Sequence, residues 1–180
     1  QDAHVYAQQA AYGWLPPNTS RGDLADRALE MLDTVLATDS GSVEGWAARA
    51  FALRRTVPPR LLGAREAAER AIALDPSNID AQIHLGWALV EMGDAEGAAR
   101  QGRRVHSLDP AFFAAYWLQG SVATVEGRLE EASALLDSAV LLAPRVYLVR
   151  QLRARVRMMV GDSAGARADA MEHDRLLGQP

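Results

Sequence analysis

Cysteine and lysine are both missing from the 180 residues. Without cysteine there is no disulfide, no thiolate nucleophile and no zinc–sulfur site. The same absence leaves the compartment open between cytosol and periplasm. All nineteen basic residues are Arg, which excludes Schiff-base chemistry and every lysine-bearing phosphate loop. Aromatic residues are scarce, at 6%. No apolar run approaches the roughly 20 residues of a membrane helix, and no signal peptide is visible. The chain opens "QDAHVYAQ" with no Met, which reads as a processed or excised piece of something longer, compatible with an anchor or signal upstream.

The remainder is 49% apolar and 23% charged, with a net charge of −4. That is a globular composition. A weakly acidic total argues against nucleic-acid binding, which needs a basic surface to displace counterions.

A catalytic or metal constellation is not found. General acid–base work needs a positioned pair with shifted pKa values, whereas Asp94, Glu96, Glu130, Glu131 and Asp162 fall at helix starts, where they complement the helix dipole. His4, His84, His106 and His173 lie in different helices with no HExxH-like pairing. "GDSAG" at Gly161–Gly165 lacks the nucleophile-elbow spacing and a preceding strand, so Ser163 reads as a helix-start residue. No catalytic residue, metal or cofactor is expected.

What the sequence does contain is a period. "LDP" at Leu74–Pro76 recurs at Leu108–Pro110, 34 positions on, and Pro144 follows at the same step. Gly86 steps to Gly120 and Ala154, Gly93 to Gly127 and Gly161, and Ala98 to Ala132 and Ala166. Four residue classes in one register define a repeat. The first set admits a neighbouring helix closely. The second stands where a helix ends and a left-handed residue is favoured. The third opens a second helix, and Pro punctuates the unit. Between these marks the apolar spacing is three and four, the helix period, as in Ile83, Trp87 and Val90.

These residues resemble the tetratricopeptide repeat. One copy carries Leu85, Gly86, Leu89, Ala98, Val105 and Pro110; the next carries Tyr116, Gly120, Ala123, Ala132, Ala139 and Pro144. The copy before Pro76 has Trp46, Ala50 and Ala64 and a longer inter-helix turn, "RTVPPRLLG". The resemblance implies an all-α, right-handed superhelical solenoid of antiparallel helix pairs, about ten helices, built as a single domain over 1–180. Its repeats are 43–78, 79–112, 113–146 and 147–180, with a degenerate pair at 1–42 made of a helix over Asp2–Trp14 and a second capped by Ser20 or Asp23.

The family register also implies which first-helix positions face a concave groove. They include Phe51, Arg54, Arg55, Ile83 and Trp87, then Trp117, Ser121, Gln151, Arg155 and Met158. Trp46 falls at a packing position. Trp87 and Trp117 read either as packing against the adjacent helix or as part of an apolar stripe that binds a partner. Met158 adds an adaptable surface, and Arg54, Arg55 and Arg155 would hold carboxylates at its edges. A Lys–Asn clamp for an acidic tail is excluded, since Asn18 and Asn78 are the only Asn. In "RQLRARVRMM", Arg150, Arg153 and Arg157 share one helix face, suited to an acidic partner or to Asp169 and Glu172 of the last helix.

The expected function is thus a non-catalytic scaffold that binds a protein or peptide in its groove. The alternative is a structural subunit of an envelope-associated assembly or a homo-oligomer, using exposed ends such as Leu148, Leu152, Leu176 and Leu177. The stretch from Gly41 to Arg100 also resembles repeat regions appended to bacterial signalling proteins, including membrane-linked kinases and winged-helix regulators. That resemblance implies a docking role in the bacterial cytoplasm or periplasm, within a membrane-anchored protein in the first case. It implies no nucleic-acid partner and no membrane insertion by this segment.

Overall fold

A capping box starts the first helix of the computed structural model, which describes residues 20–177. The Ser20 hydroxyl accepts from the Asp23 N–H at 3.1 Å, and the Asp23 carboxylate accepts from the Ser20 N–H at 2.9 Å. Two orphan donors of the first turn are thereby satisfied. The helix expected over Asp2–Trp14 lies outside the described residues.

Helices α1 (Arg21–Thr38), α2 (Val43–Arg55), α3 (Leu61–Leu74) and α4 (Ile79–Met92) make one unit, which ends at Gly93. Leu24, Ala28, Leu32 and Leu36 recur at the helix period and are buried. α1 packs on α2, α2 on α3 and also on α4, and α3 on α4. Contact between alternate helices is what a stack of helix pairs requires. Ala47, Ala71 and Ala81 join α2, α3 and α4 in one buried cluster, with Val43, Trp46 and Ile72 packed against it. The turn Thr56–Arg60 is tied by the buried Thr56 hydroxyl. It donates toward the carbonyls of Leu53 and Pro58 and accepts from the Arg60 N–H.

The second unit begins at Asp94 and contains α5 (Ala95–Leu108), α6 (Phe113–Val125), α7 (Leu129–Leu142), α8 (Tyr147–Met159) and α9 (Ser163–Leu177). Each helix packs on its successor, and α6 also packs on α8. Its core joins Ala123, Ala132, Leu136, Ala139, Val140, Val149 and Val156. Leu136 is wholly buried, which contributes about 1.5–3 kcal/mol. Gly120 faces it: a Cβ there would lie 2.9 Å from Leu136 Cγ. The small residue at this place in the repeat therefore accommodates the partner helix.

The fold is all-α and tetratricopeptide-like, with nine helices and no strand among the described residues. Gly93, Gly127 and Gly161 have φ of 84°, 74° and 86°, the left-handed region expected at these helix ends. The "LDP" signature is explained by its Asp. Asp75 Oδ1 accepts from the Ser77 N–H at 2.8 Å, and Asp109 Oδ1 from the Ala111 N–H at 2.9 Å. Each carboxylate folds the chain between repeats through a side-chain turn. The Ser77 hydroxyl and N–H hold the Asp75 carboxyl below its usual range.

Candidate functional site

The first unit carries an open groove of about 990 Å³. On one wall α1 presents Met31, Thr34, Val35 and Thr38, spaced at three and four along one face. The floor comes from Ala47, Ala48 and Phe51 of α2, with His84 of α4 beside it. Phe51 and His84 are stacked, ring centroids 5.0 Å apart and 18° between planes. The rim holds Asp39, Glu44 and Asp80. Ser42 and Asn78, also at the rim, cap α2 and α4 by accepting from Gly45 and Ala81 N–H groups at 3.1 and 2.8 Å. Apolar floor and polar rim form the usual anatomy of a recognition surface.

Of the residues expected to face a groove, Phe51 lines this one, together with Glu44, Ala47 and Asp80 of the same register. Arg54 is buried and bonds Glu91 through Nε at 3.3 Å and through Nη2. Its guanidinium carbon lies 5.8 Å from the Trp87 ring centroid, a cation–π distance. The Arg55 guanidinium stands 5.3 Å over the Phe51 ring. Ile83 is buried and Trp87 half-buried. Arg54 and Trp87 thus meet each other, and Arg55 covers the face of Phe51.

In the second unit, Trp117 is half-buried and packs on the core beside Phe113, with centroids 6.5 Å apart. Ser121 is buried, and its hydroxyl donates to the Trp117 carbonyl at 2.9 Å. Gln151, Arg155 and Met158 are exposed on α8. Leu148, Leu152 and Leu176 are half-buried, and Leu152 packs against the core.

The arginine face of α8 turns to the last helix. Asp169 is 1% exposed. Arg153 Nε donates to it at 2.8 Å and Arg157 Nη1 at 2.9 Å, with Arg150 Nη1 at 3.4 Å. Arg153 also reaches Asp137 of α7 at 2.8 Å. Burial lowers the Arg153 pKa, but Asp169 and Asp137 outweigh it and leave the group raised above its ordinary value. These cations are occupied within the fold.

Among the described residues no cluster of three or more His, Cys, Asp or Glu could hold a metal ion. His106 meets the Tyr116 ring edge-on at 5.2 Å and His173 meets Tyr147 at 5.4 Å, so each described His packs on a different ring. Ser163 opens α9, where Asp162 accepts from the Gly165 N–H at 2.9 Å. No helix among the described residues is long and apolar enough to cross a membrane.

The repeat register begins at Val43 and does not extend to α1, which supplies a wall of the groove. The available signal was a second apolar face, Met31 and Val35, beside the core face through Leu32 and Leu36.

The sequence matches no protein-family model, and no curated protein matches it. Solved structures do. A thermophilic TPR protein of Thermus thermophilus superposes with a TM-score of 0.80 at 18% identity, over 95% of this chain and 87% of that one. MamA of Desulfovibrio magneticus RS-1 gives 0.65 at 20% identity, over 97% and 94%. A variant O-GlcNAc transferase of Thermobaculum terrenum gives 0.68 at 22%, over 76% of this chain and 26% of that one. The likeness is one of fold.

Proposed function

We propose that this chain is a non-catalytic interaction scaffold that seats a polypeptide segment in the groove between α1, α2 and the start of α4. The observation that carries the reading is the groove itself: about 990 Å³ of open space with an apolar floor, supported on rigid helices. Its size stands at the upper end for small-molecule pockets and suits a chain laid along helices. Phe51 is the aromatic anchor of the site, and Arg55 holds its ring from the far end of α2. Arg54, Ile83, Trp87, Trp117 and Ser121 shape and stiffen the helices behind the binding surfaces, while Gln151, Arg155 and Met158 offer a second contact area in the other unit.

The test is selection of peptides from a random display library on the folded protein. Binding should weaken at least about tenfold in V35Q/A48Q, which narrows the groove without changing charge. Val35 is 45% exposed, so its replacement leaves the core intact. Selected peptides that bind V35Q/A48Q as tightly as the parent would remove the groove from the account.

A second reading rests on a different observation. Val125, Met158, Met159 and Val160 are all exposed near the ends of α6 and α8, and exposed apolar groups near one another favour association. Self-association through this end makes the protein a structural subunit. Sedimentation of the parent beside M158Q/M159Q decides it, because a dimer present in both would exclude that surface.

A further inference from the structure

The groove is ringed by negative charge. Asp39, Glu44 and Asp80 line it, and among the described residues no Arg does. All three are exposed. Asp39 accepts from the Gly41 N–H at 3.0 Å, but neither it nor Glu44 nor Asp80 has a cationic partner among the described residues. Four arginines of the same unit are engaged with other carboxylates, Arg49 with Asp33, Arg54 with Glu91, Arg60 with Asp26 and Arg65 with Glu69, and Arg55 stands over the Phe51 ring.

A simpler role exists for two of these carboxylates. Glu44 and Asp80 each lie in the first turn of a helix, where negative charge is favoured. The same place in α6 and α8 is taken by Ala114 and Leu148. Those helices also form, without carboxylates or side-chain caps. Helix starts in this protein therefore do not require an acid at that place. Acids stand there in the unit that has the groove, and Asp39, beyond the end of α1, adds a third from another element.

We propose that the occupant of this groove is a polypeptide segment carrying Arg or Lys beside apolar side chains. The inference rests on the interaction reading above and adds the chemistry of the partner. Apolar side chains cover Val35, Ala48 and Phe51, and cations meet the three carboxylates at the rim. Complementary charge of this kind fixes register and excludes acidic competitors.

The experiment uses the same display selection and reads two further quantities. Selected peptides should be enriched in Arg and Lys next to apolar residues. Their affinity should fall about tenfold or more in D39N/E44Q/D80N, and also on raising salt from about 0.05 to about 0.5 M, as partly exposed pairs are screened. The three replacements are near-isosteric and exposed, and circular dichroism confirms folding. The salt series on the parent needs no variant.

Peptides that depend on Val35 and Ala48, yet carry no basic enrichment and ignore salt, overturn this inference and leave the scaffold reading standing. A library that yields no binder overturns both. A parent dimer that V35Q/A48Q dissociates puts a second copy in the groove and overturns the partner chemistry.

Discussion

Trp46 and Gln82 perform one task with different chemistry. The Trp46 indole N–H donates to the Ser40 carbonyl at 3.0 Å, and the Gln82 amide donates to the Pro76 carbonyl at 3.0 Å. Both side chains reach back six residues from the same place in their helices. The Tyr116 hydroxyl does the same to Pro110 at 3.0 Å, and the Arg150 guanidinium to Pro144 at 3.2 and 3.1 Å. Four repeats thus tie the turn that precedes them with four different donors. Such a bond contributes about 0.5–1.5 kcal/mol net. Y116F should cost that amount in urea unfolding, whereas loss of the ring in Y116A costs more because packing on the core goes too. Equal stability of Y116F and parent would show that the bond is replaced by water.

Removal of the Asp169 carboxylate should be far more damaging. It is almost fully buried and holds Arg153 and Arg157. D169A removes their buried partner, leaving Arg153 with the half-exposed Asp137 and Arg157 with Asp137 and Asp162, and should cost about 3–5 kcal/mol. D169L combined with R153M should recover much of the loss, since replacing a buried pair by apolar groups is often neutral. A D169A loss below about 1 kcal/mol would mean that solvent reaches the site.

Acid should weaken the fold in a defined window. The backbone and hydroxyl of Ser20 lower the Asp23 pKa, and the hydroxyl and backbone of Ser77 lower that of Asp75. Arg175 does so for Glu172. A depressed folded-state pKa means that the bond's stabilisation is complete above the unfolded value, 3.8 for Asp, and is lost as pH falls through the folded value. Urea midpoints of the parent should therefore drop below about pH 4, and D75N should flatten that dependence. An unchanged slope in D75N would deny the Ser77 bond its role.

Two glycines should fail for different reasons. Gly93 has φ of 84° with nothing within 4 Å of a built Cβ, so G93A meets only backbone strain, about 1 kcal/mol. Gly120 lies in a helix, and its replacement drives a methyl into Leu136. Overpacking there should cost about 1–3 kcal/mol, opposed by the helix preference of Ala. L136V should relieve part of G120A and nothing of G93A. Equal effects of L136V on both would contradict the packing argument.

The repeat was legible because its marks are local. Gly93, Gly127 and Gly161 need only their own φ, and Ser20 needs only a residue three places on. The link from the α8 arginines to Asp169 was also legible, since the two helices adjoin in sequence. Arg54 was not. Its burial depends on Glu91, which only the stacking of α2 on α4 brings within reach. The groove wall on α1 was hidden for a related reason, since the register that assigns concave positions begins at Val43 and says nothing about Met31 or Val35.

Occupancy of the groove is read most directly by amide hydrogen exchange of the protein with and without a display-selected peptide. Slowed exchange is expected across residues 31–51 and the start of α4, with loss of that protection in V35Q/A48Q. Protection confined to residues 94–177, with 31–51 untouched, would contradict that occupancy.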